Sequence, residues 1–175
     1  MSWRIVTYRL GDDHSKHRVA IWRELRRLGA LALQQATWAI PPGEEFEPGL
    51  ERARELVERG GGRLLLFQSE PDERTRPALE ELFTAEREAE WREFLSECDK
   101  AEAELHDEFE QEKFTLAELD EEEQNIDRLR RWYREIRAKD LFGAPSATAA
   151  EERFRTCAAL LERFAEQVFD ARARP

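Results

Sequence analysis

Hydrophobic and polar positions follow two different periods in the N-terminal part of the chain. Trp3–Leu10 is rich in β-branched and aromatic residues with a period of two, which predicts a strand. Ser15–Leu28 has helical spacing, with Ser15 as the expected N-cap and Gly29 as the residue that ends the helix. A second strand, a short amphipathic helix and a third strand are predicted next: Ala30–Ile40, Pro48–Gly61 and Gly62–Ser69.

The resulting order, β-α-β-α-β, is typical of a compact ferredoxin-like domain, which we place at residues 1–72. The complete fold needs a fourth strand, and the chain supplies one only if Ala30–Ile40 bends into two. The apolar run in Gly62–Ser69 is nearly continuous. Such a run predicts a strand that is buried on both faces or central in the sheet.

From Ala78 onward the apolar residues follow a helical period, and the first predicted helix runs for about 35 residues. Thr115 and Thr148 are each followed three residues later by a glutamate, so each is expected to begin a helix through a capping box. Short connections favour antiparallel neighbours. Residues 73–175 are therefore predicted to form an up-down-up three-helix assembly, and the fold class is α+β. The three apolar seams share a three-four spacing: Trp91, Phe94, Cys98, Ala101, Leu105 and Phe109; Leu119, Ile126, Leu129, Tyr133 and Ile136; Phe154, Cys157, Leu161, Phe164 and Val168.

Composition narrows the class of protein. Of the 175 residues, 38% are charged and 41% are hydrophobic, which indicates helices with charged outer faces rather than disorder. The net charge of −11 argues against a general nucleic-acid coat but leaves room for one local basic face. No apolar run approaches the roughly 18 residues that span a bilayer, and a signal-peptide layout is absent, so we expect a cytoplasmic protein. Cys98 and Cys157 are expected to be buried thiols rather than a disulfide.

A basic helix stands out in this acidic chain, since six basic residues fall within about three turns. The apolar stripe of this helix is expected to face the sheet: Val19, Ile21, Trp22, Leu25 and Leu28. Lys16, Arg23 and Arg27 then share the outward face, and Arg26 flanks it. One interpretation is a solvated surface with pairing to Glu24. The other is contact with phosphate, which arginine binds through planar, bidentate donors.

Two adjacent glutamines, Gln34 and Gln35, lie in the middle of the predicted second strand. Neighbouring side chains on a strand point to opposite faces, so at least one glutamine should be partly buried and hydrogen-bonded. The alternative is a polar contact beside the basic helix.

Signatures of catalysis are missing from the sequence. A glycine-rich phosphate loop, a nucleophile elbow and a triad set are absent, so we expect neither an enzyme nor a cofactor. Cys98, Glu102 and His106 are spaced four and four along a helix, which could present metal ligands on one face. Because Cys98 fits the apolar seam, a core thiol is the preferred interpretation, and we predict no metal site.

The segments "RVAIWRELRRLGA" and "LQQATWAIP" occur in this order and together resemble the N-terminal region of the chromate-resistance regulator ChrB. The similarity extends more loosely through the helical part. It implies a DNA-binding, chromate-responsive repressor whose basic segment contacts operator DNA. The residues for which the resemblance implies phosphate contact are Lys16, Arg18, Arg23, Arg26 and Arg27.

The same resemblance implies the binding partners of the chain. We expect operator DNA, a second copy of the chain in a homodimer and chromate as the effector, with no membrane partner. Full-length members carry a second domain in which chromate sensing is expected, and the sequence ends before it. Operator binding is therefore expected here, and the sensing role stays open.

Two alternative functions also fit the sequence. The first is a non-enzymatic interaction or adaptor module that uses the long charged helices. The second is a metal-dependent nuclease, because the layout also looks like the ferredoxin-like domain of PaaX-type repressors and of small CRISPR-associated nucleases. In those nucleases an aspartate at the end of the first strand helps to bind a metal. Here Arg9 stands near that position, where it would repel a cation, and Asp12 and Asp13 follow in the turn.

Overall fold

The computed structural model of the protein describes residues 2–11 and 15–173. The turn predicted around residues 12–14 and the side-chain cap expected of Ser15 lie outside this description. The chain divides into two compact units, Met1–Phe83 (unit 1) and Thr84–Pro175 (unit 2). A long helix crosses the division, and its first turns belong to unit 1, where the ring of Phe83 packs edge-on against Trp3 at 6.2 Å between centroids.

Unit 1 combines helices with a four-stranded antiparallel sheet of order β2-β3-β1-β4. The mixed α+β class is therefore confirmed. A short 3-10 helix, Glu44–Phe46, precedes the second α-helix. The elements are β1 (Trp3–Arg9), α1 (Ser15–Leu28), β2 (Leu31–Gln34), β3 (Thr37–Ile40), α2 (Glu47–Arg59) and β4 (Arg63–Ser69).

The single strand predicted at Ala30–Ile40 is wrong, because this segment forms a hairpin of β2 and β3. Ala36 has a φ of 61°, a left-handed conformation that reverses the chain direction. Its carbonyl accepts a hydrogen bond from the backbone N–H of Tyr8 at 3.1 Å, which ties the turn to β1. The hairpin supplies the fourth strand of the sheet.

The burial predicted for the last strand of unit 1 is also wrong. β4 pairs with β1 and forms an edge of the sheet, because β3 lies on the other side of β1. Leu64 is buried, whereas Leu65 and Phe67 are 47% and 53% exposed. A continuous apolar run thus marks a strand here without marking its position in the sheet.

Helix α1 begins and ends where its pattern predicts, but its buried stripe is narrower. Ile21, Leu25 and Leu28 are buried, whereas Val19 and Trp22 are 46% and 47% exposed. At about 100° per residue, Trp22 lies on the flank of the buried row, and Val19 lies farther round, among the basic side chains. Gly29, with a φ of 90°, ends the helix by donating its N–H to the carbonyl of Arg26 at 3.0 Å.

Unit 2 consists of the remainder of α3 (Thr75–Glu110) with α4 (Leu116–Lys139) and α5 (Ala147–Ala173). Lys139, at the end of α4, contacts Glu90 near the start of the unit 2 part of α3, and Arg153 on α5 contacts Glu102. Within residues 2–11 and 15–173, no helix is long and apolar enough to cross a bilayer. The buried core combines the three predicted seams: Trp91, Phe94, Cys98, Ala101, Leu105, Leu119, Ile126, Leu129, Ile136, Cys157, Phe164 and Val168.

The predicted helix starts in unit 2 have different outcomes. Thr115 caps α4, and its hydroxyl oxygen accepts from the N–H of Glu118 at 3.3 Å. Thr148 lies inside α5 and does not begin it. The backbone carbonyl of Ser146 already accepts from the N–H of Ala150 at 2.9 Å, so the helical turn starts before Thr148.

One buried carboxylate of unit 2, that of Asp140, is fully hydrogen-bonded. Asp140 is 5% exposed, and its carboxylate accepts a hydrogen bond from Trp91 Nε1 at 2.9 Å. It also accepts from the backbone N–H groups of Gly143 and Ala144 at 3.1 and 3.0 Å. Asp140 therefore fixes both the indole of the core and the turn after α4.

Candidate nucleic-acid interface

The five residues predicted to contact DNA all lie on the exposed part of α1. Burial of Ile21, Leu25 and Leu28 fixes the orientation of the helix, which leaves the other faces to solvent. Each of the predicted side chains is exposed: Lys16, Arg18, Arg23, Arg26 and Arg27. The helix therefore presents a cationic surface, which we call the α1 basic surface and define by these five residues.

One member of the α1 basic surface is engaged by the protein itself. Arg27 donates to both carboxylate oxygens of Glu24, at 3.1 Å from Nε and 2.6 Å from Nη2. Arg52 on α2 donates to Glu24 Oε1 at 2.8 Å. Partial burial alone would raise the pKa of Glu24, but the hydrogen bonds from Arg27 and Arg52 outweigh it and hold that pKa below its ordinary value. Glu24 thus stays ionised and neutralises part of the local charge.

Another member of the surface lies against an aromatic ring. The guanidinium of Arg26 stands over the ring of Trp22, 5.2 Å from its centroid. This distance is within the range of a cation–π contact. Trp22 therefore belongs to the basic flank of the helix rather than to the core in which the sequence pattern places it.

A concave pocket opens between this flank of α1 and the β2–β3 hairpin. Its volume is about 440 Å³, and we call it the Trp22–Trp38 pocket. Trp38 is 4% exposed, and its Nε1–H has no hydrogen-bond partner among the described residues. The lining residues are Tyr8, Arg18, Val19, Trp22, Ala32, Gln34, Gln35, Ala36 and Trp38.

The two glutamines lie at the end of β2 and in the hairpin turn, beside the basic helix. Both Gln34 and Gln35 are exposed, so the partial burial predicted for at least one of them is wrong. They stand at the hairpin turn rather than in mid-strand, which removes the alternation between faces. Both line the Trp22–Trp38 pocket beside α1, where their amides can donate and accept hydrogen bonds.

Tyr8 connects the pocket to further positive charge. It lines two neighbouring concavities of about 400 and 310 Å³ that include Arg9, and the larger of them also includes Arg63. Arg9 and Arg63 are register partners on β1 and β4, which brings the two cations together. Burial raises the pKa of the Tyr8 phenol, against the opposing charge of Arg18, so the hydroxyl stays protonated and can donate.

Sequence patterns do not single out Arg9, Arg63, Tyr8 or Trp38 as parts of an interface. Each belongs to a strand, where a polar or aromatic residue has an ordinary structural explanation. The pairing of β1 with β4 and the hairpin turn bring them to one region of unit 1. The signal that could have found them is the cluster of arginines at strand ends, read together with the correct strand order.

The helix face that could present metal ligands, Cys98, Glu102 and His106, belongs to the described part of the chain. Within it, no group of three histidine, cysteine, aspartate or glutamate side chains is placed to hold a metal ion. His106 Nε2 stands 3.9 Å from Glu102 Oε1, whereas Cys98 is fully buried. Both cysteines are free buried thiols, as predicted. Asp12 and Asp13, the aspartates of the nuclease alternative, lie outside the described residues.

Comparison with known families confirms the resemblance noted in the sequence. The model of the family described as "Protein ChrB, N-terminal" matches residues 18–175, and the chain belongs to this family. The match starts at Arg18 and therefore includes most of the α1 basic surface, the hairpin and the whole of unit 2. A search of curated proteins finds no match to the chain.

Proposed function

We propose that this member of the ChrB N-terminal family is a chromate-resistance-associated transcriptional regulator that binds operator DNA through the α1 basic surface. The observation that carries the proposal is the state of four of its cations. In the described residues, no salt bridge joins Lys16, Arg18, Arg23 or Arg26 to a carboxylate, whereas Arg27 is paired with Glu24. Cations that the fold does not neutralise are available to phosphate oxygens.

The acidic bulk of the chain makes this local arrangement informative. A net charge of −11 repels a polyanion at long range, so binding has to depend on a few close contacts. Salt screens both the long-range repulsion between the acidic protein and DNA and the close contacts between arginine and phosphate. We therefore expect affinity to depend strongly on the number of phosphates that α1 reaches.

The fold and the assembly form part of the same proposal. The strand order β2-β3-β1-β4, with helices after β1 and after β3, supports a ferredoxin-like arrangement for unit 1. A homodimer would present two α1 basic surfaces to one operator and double the phosphate contacts. In this proposal the protein acts in the cytoplasm by binding rather than by catalysis, and chromate is the effector.

Fluorescence anisotropy with a duplex from upstream of its own operon tests the proposal. We expect salt-dependent binding between about 50 and 200 mM salt, and weaker binding to a scrambled duplex. The double variant Arg18→Ala/Arg23→Ala should lose affinity by tenfold or more, because two phosphate contacts are lost. Its salt slope should also be shallower, by about 0.9 for each lost contact. Arg134→Ala/Arg137→Ala, which removes two exposed arginines of α4, is the matched control. Absence of binding at low salt, or equal losses in the two double variants, would contradict the proposal.

A further inference from the structure

The Trp22–Trp38 pocket has the composition of a ligand site. Its volume of about 440 Å³ falls within the range of small-molecule sites in proteins. Trp22 contributes a large aromatic side chain that remains 47% exposed, although core packing would stabilise a buried indole. The ring is therefore available to a flat partner that enters beside Val19.

A second observation points independently to a ligand. The Nε1–H of Trp38 is buried, and no acceptor meets it in the described residues. Buried indole N–H groups are normally hydrogen-bonded, because an unpaired donor keeps its desolvation cost. Trp38 also lines the pocket, and its Nε1 is covered by neighbouring side chains, so a ligand that carries a hydrogen-bond acceptor would supply the missing partner by displacing that cover.

The polar and charged groups around the pocket indicate the chemistry of that ligand. The amides of Gln34 and Gln35 and the hydroxyl of Tyr8 can match an edge that carries both donors and acceptors. Arg18 lines the pocket and Arg26 stands over Trp22, so cations border the aromatic surface. No carboxylate is among its described lining residues. An aromatic ring with a polar edge, attached to an anionic backbone, fits all of these groups.

We propose that the Trp22–Trp38 pocket binds one unpaired nucleobase of the nucleic acid whose phosphates contact α1. The inference rests on the proposed function, because the phosphate contacts deliver the base to the pocket. The base stacks against Trp22, its polar edge meets Trp38 and the glutamines, and its flanking phosphates lie near Arg18 and Arg26. Aromatic side chains bind bases in this way without needing a defined sequence.

Three duplexes of one sequence test the inference: one fully paired, one with a single bulged thymidine, and one with an abasic nucleotide at the bulge. The two bulged duplexes have the same backbone charge, so the ratio of their Kd values isolates the contribution of the base. We expect the wild-type protein to bind the thymidine bulge about tenfold more tightly than the abasic bulge at one salt concentration.

The variants are chosen to separate the pocket from general folding effects. Trp22→Ala should bring the ratio close to one, and Trp38→Phe, which keeps a ring but removes the N–H, should lower it severalfold. Leu33→Ala removes an equally exposed apolar side chain of β2 that does not line the pocket, so it should keep the wild-type ratio. Circular dichroism of each variant verifies folding.

The three duplexes also separate this inference from the proposed function. If the wild-type protein binds the paired duplex but does not distinguish thymidine from the abasic nucleotide, the pocket inference fails and operator binding stands. A ratio that Trp22→Ala leaves unchanged overturns it as well. If none of the three duplexes is bound at low salt, the proposed function fails, and the base-binding role fails with it.

Discussion

Unit 1 exposes one of its tryptophans, whereas both tryptophans of unit 2 pack in or against the core. In unit 2, Trp91 and Phe94 are fully buried, and their ring centroids lie 5.9 Å apart in an edge-to-face contact. In unit 1, Trp22 and Phe67 are 47% and 53% exposed. Phe169 of unit 2 is 60% exposed as well, so exposure alone does not mark a recognition surface. Trp22 differs because it lines the Trp22–Trp38 pocket and lies under the guanidinium of Arg26.

Charged groups provide a second comparison. In unit 2, the carboxylate of Glu90 lies 3.0 Å from Arg87 Nε and 3.2 Å from Lys139 Nζ, so these three charges have partners. The α1 basic surface keeps four cations outside any salt bridge in the described residues. Arg134 and Arg137 on α4 are likewise exposed and outside the salt bridges of the described residues. What distinguishes the cations of α1 is that Arg18 and Arg26 border the Trp22–Trp38 pocket, and we infer that this surface is held ready for a partner.

A pair of tryptophan substitutions provides the strongest test of this contrast. Trp91→Ala should lower the free energy of unfolding by about 3 to 5 kcal/mol, because it empties a buried aromatic site. Trp22→Ala should cost less than about 1 kcal/mol, because half of that ring is already in water. Urea unfolding followed by circular dichroism measures both values. Similar losses in the two variants would remove the distinction between core and recognition surface.

Asp140 tests how much one hydrogen-bonded buried carboxylate contributes to the stability of unit 2. Asp140→Ala should cost about 2 to 3 kcal/mol of unfolding free energy, because the Trp91 indole N–H and the backbone N–H of Ala144 lose their acceptor in a buried position, and the N–H of Gly143 loses it in a partly buried one. Asp170→Ala, on the exposed side of α5, is the control and should change stability by less than about 0.5 kcal/mol. Equal effects would show that the buried network contributes little.

A smaller effect should follow pH through Glu108 in unit 2. Burial, followed by the nearby charges of Glu122 and Glu118, raises its pKa from 4.5 to about 7, and Lys113 opposes the shift. The folded state therefore binds this proton more tightly than the unfolded state. The associated stability is complete below the unfolded pKa and is lost as the pH rises through about 7. The urea midpoint should be higher at pH 5.5 than at pH 8, and Glu108→Gln should reduce the difference. An unchanged pH dependence in this variant would contradict the assignment.

Elements with a strong helical period could be predicted from the sequence, and the details of the interface could not. The bounds of α1 and the Thr115 cap follow from local patterns of residues. The hairpin was anticipated only as the condition that Ala30–Ile40 bends into two, because Ala36 adopts a left-handed conformation without the glycine or asparagine that usually signals a turn. The exposure of Val19 and Trp22 depends on how wide a stripe the sheet covers, which periodicity does not specify. Arg9 and Arg63 come together only through strand pairing.

The most direct test of the central claim measures the salt slope of DNA binding in four proteins. Glu24→Gln removes the carboxylate that pairs with Arg27 and Arg52, so the local charge beside α1 becomes more positive by one unit. Glu151→Gln is the matched control, because Glu151 pairs with Arg155 on α5 and its loss changes the net charge equally. The wild-type protein and Arg23→Ala complete the set.

If the α1 basic surface binds phosphate, Glu24→Gln should bind DNA more tightly with a salt slope steeper by about one, and Arg23→Ala should show a slope shallower by about one. Glu151→Gln should match the wild-type slope. Equal slopes in all four proteins, or the same gain in Glu151→Gln as in Glu24→Gln, would contradict a binding surface on α1 and leave only the effect of net charge.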